Sequence, residues 1–169
     1  MRAALLPAFA GLAMTVAGCA AGTPASLPAT PSSSAPAPAP VENHDWFFSS
    51  DTGEAALAYG LAESDDVWLA LSCRRGDGRL EMHRPVEAGH PASISLESGG
   101  DTETYPAAAE SSGLHDGDIL VAAARAGDPV FLRFRRVGWL AVYGADYRLP
   151  MVPHPQSAPD IERFFAFCG

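Results

Sequence analysis

The chain has 169 residues, the length of one domain of ordinary size. Eleven basic residues, every one an arginine, stand against 20 acidic ones, for a formal net charge of −9. Without lysine there is no P-loop lysine, no Schiff-base lysine and no Ser-x-x-Lys nucleophile pair. The acid excess argues against nucleic-acid partners, whose binding comes largely from neutralising phosphates.

The N-terminus reads as an address. Arg2 supplies a short positive region, and residues 3–17 form an apolar run broken by Pro7, Gly11 and Thr15. The run is shorter than the roughly 20 residues of a membrane span and has the flanks of a secretory signal. Val16-Ala17-Gly18-Cys19 follows. An aliphatic residue, two small residues and a cysteine resemble the lipobox of bacterial lipoproteins. The resemblance implies that residues 1–18 are a signal peptide and that the Cys19 thiol receives a diacylglycerol. The new N-terminus would then be acylated, and several buried acyl chains give stable anchoring. Ala20 and Ala21 in place of aspartate imply the outer membrane, facing the periplasm, if the envelope is Gram-negative. An ordinary secretory signal that contains a cysteine is the alternative.

Residues 19–42 are almost entirely Ala, Pro, Ser, Thr and Gly, and proline recurs from Pro24 to Pro40. Such a stretch cannot bury enough apolar surface to offset chain entropy and favours extended polyproline II. At ~3.1 Å per residue it reaches roughly 70 Å when fully extended. It reads as a disordered tether that carries residues 43–169, a single globular domain.

The domain reads as short strands between turns. Residues 46–50 and 55–60 are the first two. Residues 67–73 make the strongest, with Val67, Leu69 and Leu71 on one face and Trp68, Ala70 and Ser72 on the other. A turn at Asp77-Gly78 leads to a hairpin partner at 79–84, with Leu80 and Met82 on one face. Residues 92–97 and 103–107 flank a turn at Gly99-Gly100, and 119–123 follow Gly117.

Residues 129–137 fit two descriptions. Asp128-Pro129 resembles an N-cap with proline in the first turn, and Gly138 fits a helix stop. Val130, Phe131, Phe134 and Val137 would share the helix face opposite Arg133 and Arg136. A strand through Val130, Leu132 and Phe134 is the alternative. A second hairpin spans 139–143 and 147–149. Ser157-Ala158-Pro159-Asp160 resembles a capping box, and Ile161, Phe164, Phe165 and Cys168 follow at helical spacing on one face. The expected fold is mostly β within the α+β class. It is an antiparallel, sandwich- or barrel-like arrangement of short strands with one or two short helices near the C-terminus. The order of elements is similar to that of small uncharacterised periplasmic lipoprotein domains. Leu71-Ser72-Cys73, Gly138-Trp139-Leu140 and residues 164–168 carry that resemblance, which implies no activity.

With Cys19 assigned to lipid, Cys73 and Cys168 remain, and an even pair in an exported domain implies a disulfide. Two separate buried thiols are the alternative. His115-Asp116-Gly117-Asp118 gathers potential ligands in one loop but lacks metal-ligand spacing, so no metal or cofactor is expected. Arg133, Arg135 and Arg136 form the densest basic run, able to hold an anion through bidentate contacts. Arg133 and Arg136, with His115 and Asp116, are the speculative ligand-binding residues. Ser64-Asp65-Asp66 reads as a wet turn rather than an acid/base pair. Arg75-Gly76-Asp77 is the adhesion tripeptide, which a Gly-rich hairpin in an arginine-bearing chain also produces by chance. Three functions fit: a non-enzymatic binding module for an unknown envelope protein or small ligand, an envelope hydrolase, or a structural lipoprotein. If Cys19 is the anchor, Cys19→Ala abolishes incorporation of labelled palmitate and releases or stalls the precursor; unchanged labelling contradicts the assignment.

Overall fold

The computed structural model describes residues 37–113 and 116–169. The expected signal peptide, Cys19, the tether up to residue 36, and His115 lie outside the described residues. Twelve elements follow in the order β1 (His44–Ser50), β2 (Glu54–Leu61), β3 (Val67–Arg74), β4 (Arg79–Val86), β5 (Ser93–Ser98), β6 (Asp101–Pro106), β7 (Ala108–Ser111), β8 (Asp118–Arg125), α1 (Pro129–Val137), β9 (Leu140–Tyr143), β10 (Arg148–Met151) and α2 (Ala158–Cys168). All strand pairs are antiparallel. They form a large sheet in the order β1-β2-β3-β4-β8-β7 and a small one in the order β10-β9-β5-β6. The fold is therefore mostly β, sandwich-like rather than a closed barrel, with two helices late in the chain.

Alternation fixes which face each strand buries. In the large sheet Leu57 and Tyr59 of β2, Leu69, Leu71 and Cys73 of β3, Leu80 and Met82 of β4, and Leu120 and Ala122 of β8 all point inward and are buried. From the small sheet come Ile94, Leu96, Leu140, Val142 and Met151. The helices fill the rest with rings: Phe131 of α1 lies 5.8 Å from Phe165 of α2, and Trp46 lies 5.2 Å from both Tyr59 and Phe134. Each buried aromatic or Leu-sized side chain contributes about 1.5–3 kcal/mol.

One irregularity shapes the sheet. The β2–β3 register shifts at Tyr59/Gly60, which leaves Trp68 without a cross-strand partner. A Cβ at Gly60 would sit 2.2 Å from the Asp66 carbonyl oxygen, so only glycine lets the bulged strand approach this closely.

Residues 129–137 are helical. Val130, Phe131 and Phe134 are buried, whereas Val137, expected on the same face, is exposed. Gly138 ends the helix at φ 78°, its N–H donating to the Phe134 carbonyl. Neither expected side-chain N-cap forms. The Asp128 carboxylate instead accepts the Arg125 N–H and the Tyr105 hydroxyl. The Ser157 hydroxyl donates to Asp45 and to the His154 carbonyl, so the capping box is absent. Asp45 also accepts the Trp46 and His154 N–H groups, which ties β1 to the start of α2. The other departure is β7. The sequence reads as one strand ending at Ala107, but the chain leaves the small sheet at Pro106 and pairs with β8 as the edge of the large one. Its Ala-Ala-Glu-Ser composition carries no β-branched or aromatic residue to announce it.

The far end of α2 is held by the β3–β4 turn. Cys73 and Cys168 form a disulfide with a Cα separation of 5.7 Å. The Gly76 and Gly78 N–H groups donate to the Phe167 and Cys168 carbonyls, which satisfies helix-end acceptors that have no partner within the helix. The Arg75 guanidinium lies 3.9 Å over the Phe167 ring, close to the negative end of the helix. The Arg75-Gly76-Asp77 tripeptide is thus engaged in closing the fold. The bridge spans 95 residues of sequence, for which chain entropy gives about 4–5 kcal/mol. Reduction is expected to lower the melting temperature by many degrees and to speed amide exchange at Gly76 and Gly78. Unchanged melting and exchange after verified reduction would contradict this account of the closure.

Candidate functional site

One face of the large sheet packs inward; the register determines what the other presents. Phe47, Ala58, Ala70, His83, Val121 and Ala108 are successive cross-strand partners and make one row across all six strands. Ser49, Ala56, Ser72, Glu81 and Ala123 make the next. Beyond it Glu54 pairs with Arg74, and Arg79 with Arg125. None of these outward residues is buried, and Phe47 at the β1 edge is 42% exposed. The centre is floored by alanine and serine, side chains too small to cover a sheet.

A trough of about 1150 Å³ results, floored by Ala56, Ser72 and Ala123 and rimmed by charge. Its five carboxylates all have donors. Asp51 accepts the Gly53 N–H, Asp77 the Arg79 N–H, and Asp128 the Arg125 N–H and Tyr105 hydroxyl. Glu54 faces Arg74 at 3.6 Å, and Glu81 meets His83 at 2.8 Å. The cations differ. Among the described residues Arg79 and Arg125 have no ion-pair partner, although they sit directly opposite each other on β4 and β8. Like charges so placed repel.

A second polar cluster ties the sheets together and is closed. Arg84 follows Leu80 and Met82 on the inward face of β4 and is only 2% exposed. It donates to the Tyr143 carbonyl and to the Tyr147 hydroxyl at 3.3 Å. Burial pulls its guanidinium below the ordinary arginine value, and the Tyr147 hydroxyl opposes that pull. On the outward side of the small sheet, Glu97 accepts the Tyr143 hydroxyl at 2.6 Å and Arg148 Nε at 2.5 Å. The Arg148 hydrogen bond holds the Glu97 carboxyl below the ordinary glutamate value against its desolvation. The same carboxylate raises the Tyr143 phenol.

The residues singled out from sequence are scattered. Arg133 is committed to the β5–β6 hairpin, donating to the Ser98 and Asp101 carbonyls and to Glu103 at 2.6 Å. Arg136 lines a separate groove of about 250 Å³ between the helices, beside the Arg135–Glu162 ion pair. Asp116 is exposed in the loop before β8 and lines neither the trough nor the groove. In the Ser64-Asp65-Asp66 turn the serine hydroxyl accepts the Asp66 N–H, and Asp66 meets His44 at 3.2 Å. Among the described residues no three His, Cys, Asp or Glu side chains gather as a metal site, and no helix is long and apolar enough to cross a membrane. Arg79, Arg84, Arg125 and Glu97 were not singled out from sequence. Period-two alternation through Leu80 and Met82 already puts Arg84 inside and Arg79 outside, but the pairing with Arg125 needs the β4–β8 register.

Compared with known proteins, the chain matches no family model, no curated protein and no solved structure.

The Glu97 cluster makes a pH prediction. A carboxyl whose value is depressed on folding stabilises the fold above the ordinary value, near 4.5, and loses that stabilisation as pH falls through the folded one. Glu97→Gln is expected to cost about 1–3 kcal/mol at pH 7 and to reduce the fall in stability on acidification below that value. Chemical denaturation across pH checks this; an unchanged acid limb would show that Glu97 does not contribute to it.

Proposed function

We propose that this is a lipid-anchored cell-envelope protein whose domain is a non-enzymatic binding module, and that the outward face of the large sheet is its working surface. The lipobox-like segment ending in Cys19 supports the anchor, and the Ala/Pro/Ser-rich stretch of residues 19–42 supports a tether with reach. In a Gram-negative envelope the anchor would lie in the outer membrane with the domain facing the periplasm.

The observation that carries the binding reading is the trough on a sheet face where, among the described residues, no outward side chain is buried. A face that only met solvent would be expected to carry long polar side chains at its centre. Here Ala56, Ala58, Ala70, Ser72 and Ala123 occupy that centre, with two opposed arginines at its end. Small side chains let another backbone come close to the sheet. The partner is an envelope protein or a small ligand.

Photo-crosslinking in intact cells tests this. A photoreactive residue at Phe47, Ser72 or Ala123 is expected to give a discrete adduct. The same residue at Thr102, exposed on the small sheet, is expected to give none. Equal adducts from both sheets, or adducts from Thr102 alone, would contradict the assignment of the surface.

A further inference from the structure

We infer that the outward face of the large sheet packs face to face against the same face of a second copy of this chain, about a two-fold axis that runs parallel to the strands between β3 and β4. The inference rests on the reading of this face as the working surface and names its partner.

The first support is charge. The trough on this face is lined by five carboxylates and three arginines. Asp51, Asp77 and Asp128 have no ion-pair partner among the described residues, and neither have Arg79 and Arg125. Such a face does not select an occupant of one sign. It suits an occupant that brings both signs at matching positions, and a second copy does so by symmetry. The axis exchanges β1 with β7, β2 with β8 and β3 with β4, and keeps the level along the strands. Glu54 of each copy therefore comes over Arg125 of the other. Arg79 comes over Arg74, whose charge Glu54 already faces at 3.6 Å.

The second support is size. In the row that crosses all six strands, the same axis lays Phe47 over Ala108, Val121 over Ala58 and His83 over Ala70. In the next row Glu81 lies over Ser72. Each large side chain meets a small one, which is how facing sheets interdigitate at the usual spacing of about 10 Å. Ala56 over Ala123 is a pair of small residues on the trough floor. That pair leaves room for Glu54 and Arg125, the next residues on the same face of β2 and β8, to meet across it.

The third support is area. Six strands span about 24 Å across the sheet, and strands of eight residues run about 26 Å. A copy seated over that face buries on the order of 1,200 Å² in total, the low end for a specific interface. The expected association is micromolar, so it adds little to the stability of the single chain at low concentration.

Sedimentation equilibrium of the purified full-length protein in a density-matched non-ionic detergent tests the inference, with charge exchange as the probe. The parent is expected to dimerise reversibly. Glu54→Arg and Arg125→Glu are each expected to weaken the dimer at least tenfold, because each sets like charges together twice. An equimolar mixture of the two variants is expected to recover dimerisation, since the mixed dimer holds one native pair and one reversed pair. Both variants are expected to keep the parent's melting temperature at low concentration, Glu54 and Arg125 being exposed. A parent that stays monomeric into the hundreds of micromolar, variants that associate like the parent, or a mixture no better than its components would each overturn the inference. A monomeric parent whose Phe47, Ser72 or Ala123 crosslinks in cells to a different protein would leave the working surface standing and discard only the second copy.

Discussion

The structure depends on one closure. A six-stranded sheet with an apolar inner face needs a lid, and α2 covers its β1–β3 half. The helix is fastened at both ends. Asp45 on β1 takes the Ser157 hydroxyl and the His154 N–H before the first turn. At its last residue, Cys168 is bonded to Cys73 while the Gly76 and Gly78 N–H groups donate to the final carbonyls. Between these fixed points Ile161, Phe164 and Phe165 enter the core. A helix of eleven residues is marginal by itself in water; here tertiary fastening holds it.

With the inner face closed in this way, the two sheets divide the remaining work. The small sheet and the Arg84 contacts bind the halves together. A buried guanidinium that meets a carbonyl and a phenol rather than a carboxylate is costly to desolvate, and its hydrogen bonds to the β9–β10 hairpin fix how that hairpin sits. Glu97, Tyr143 and Arg148 do similar work nearer solvent. The outward face of the large sheet takes no part in any of this and is left with small side chains and the opposed arginines.

Much of this architecture is legible in the residues. The alternation of residues 67–73, the Asp77-Gly78 turn and the i, i+3, i+4, i+7 spacing from Ile161 to Cys168 each follow from one local period, and each corresponds to an observed element. What local pattern misses depends on partners distant in sequence. Ser157 and Asp128 look like caps because their neighbours suit caps, yet their oxygens meet Asp45 and Tyr105, from elsewhere in the chain. β7 exists because β8 offers an edge, and its own residues do not call for a strand. The basic run from Arg133 to Arg136 looks like an anion site because charge density is visible in sequence. The structure commits Arg133 to Ser98, Asp101 and Glu103, and Arg135 to Glu162. Arg79 and Arg125, which have no ion-pair partner among the described residues, are 46 positions apart and meet only through the register of β4 with β8.

The central claim is that adjacent residues of one strand do opposite jobs, one face holding the fold together and the other remaining free. Ala70 and Leu71 on β3 test it most directly, because they are chain neighbours with their side chains on opposite faces. Thermal unfolding of Ala70→Asp and Leu71→Asp is the measurement. Ala70→Asp is predicted to stay within about 1 kcal/mol of the parent, as an uncovered sheet position allows. Leu71→Asp, which puts a charge into a fully buried position, is predicted to lose more than about 4 kcal/mol or fail to fold. Equal destabilisation by the two substitutions would mean that the outward face is packed against something, and would contradict the account.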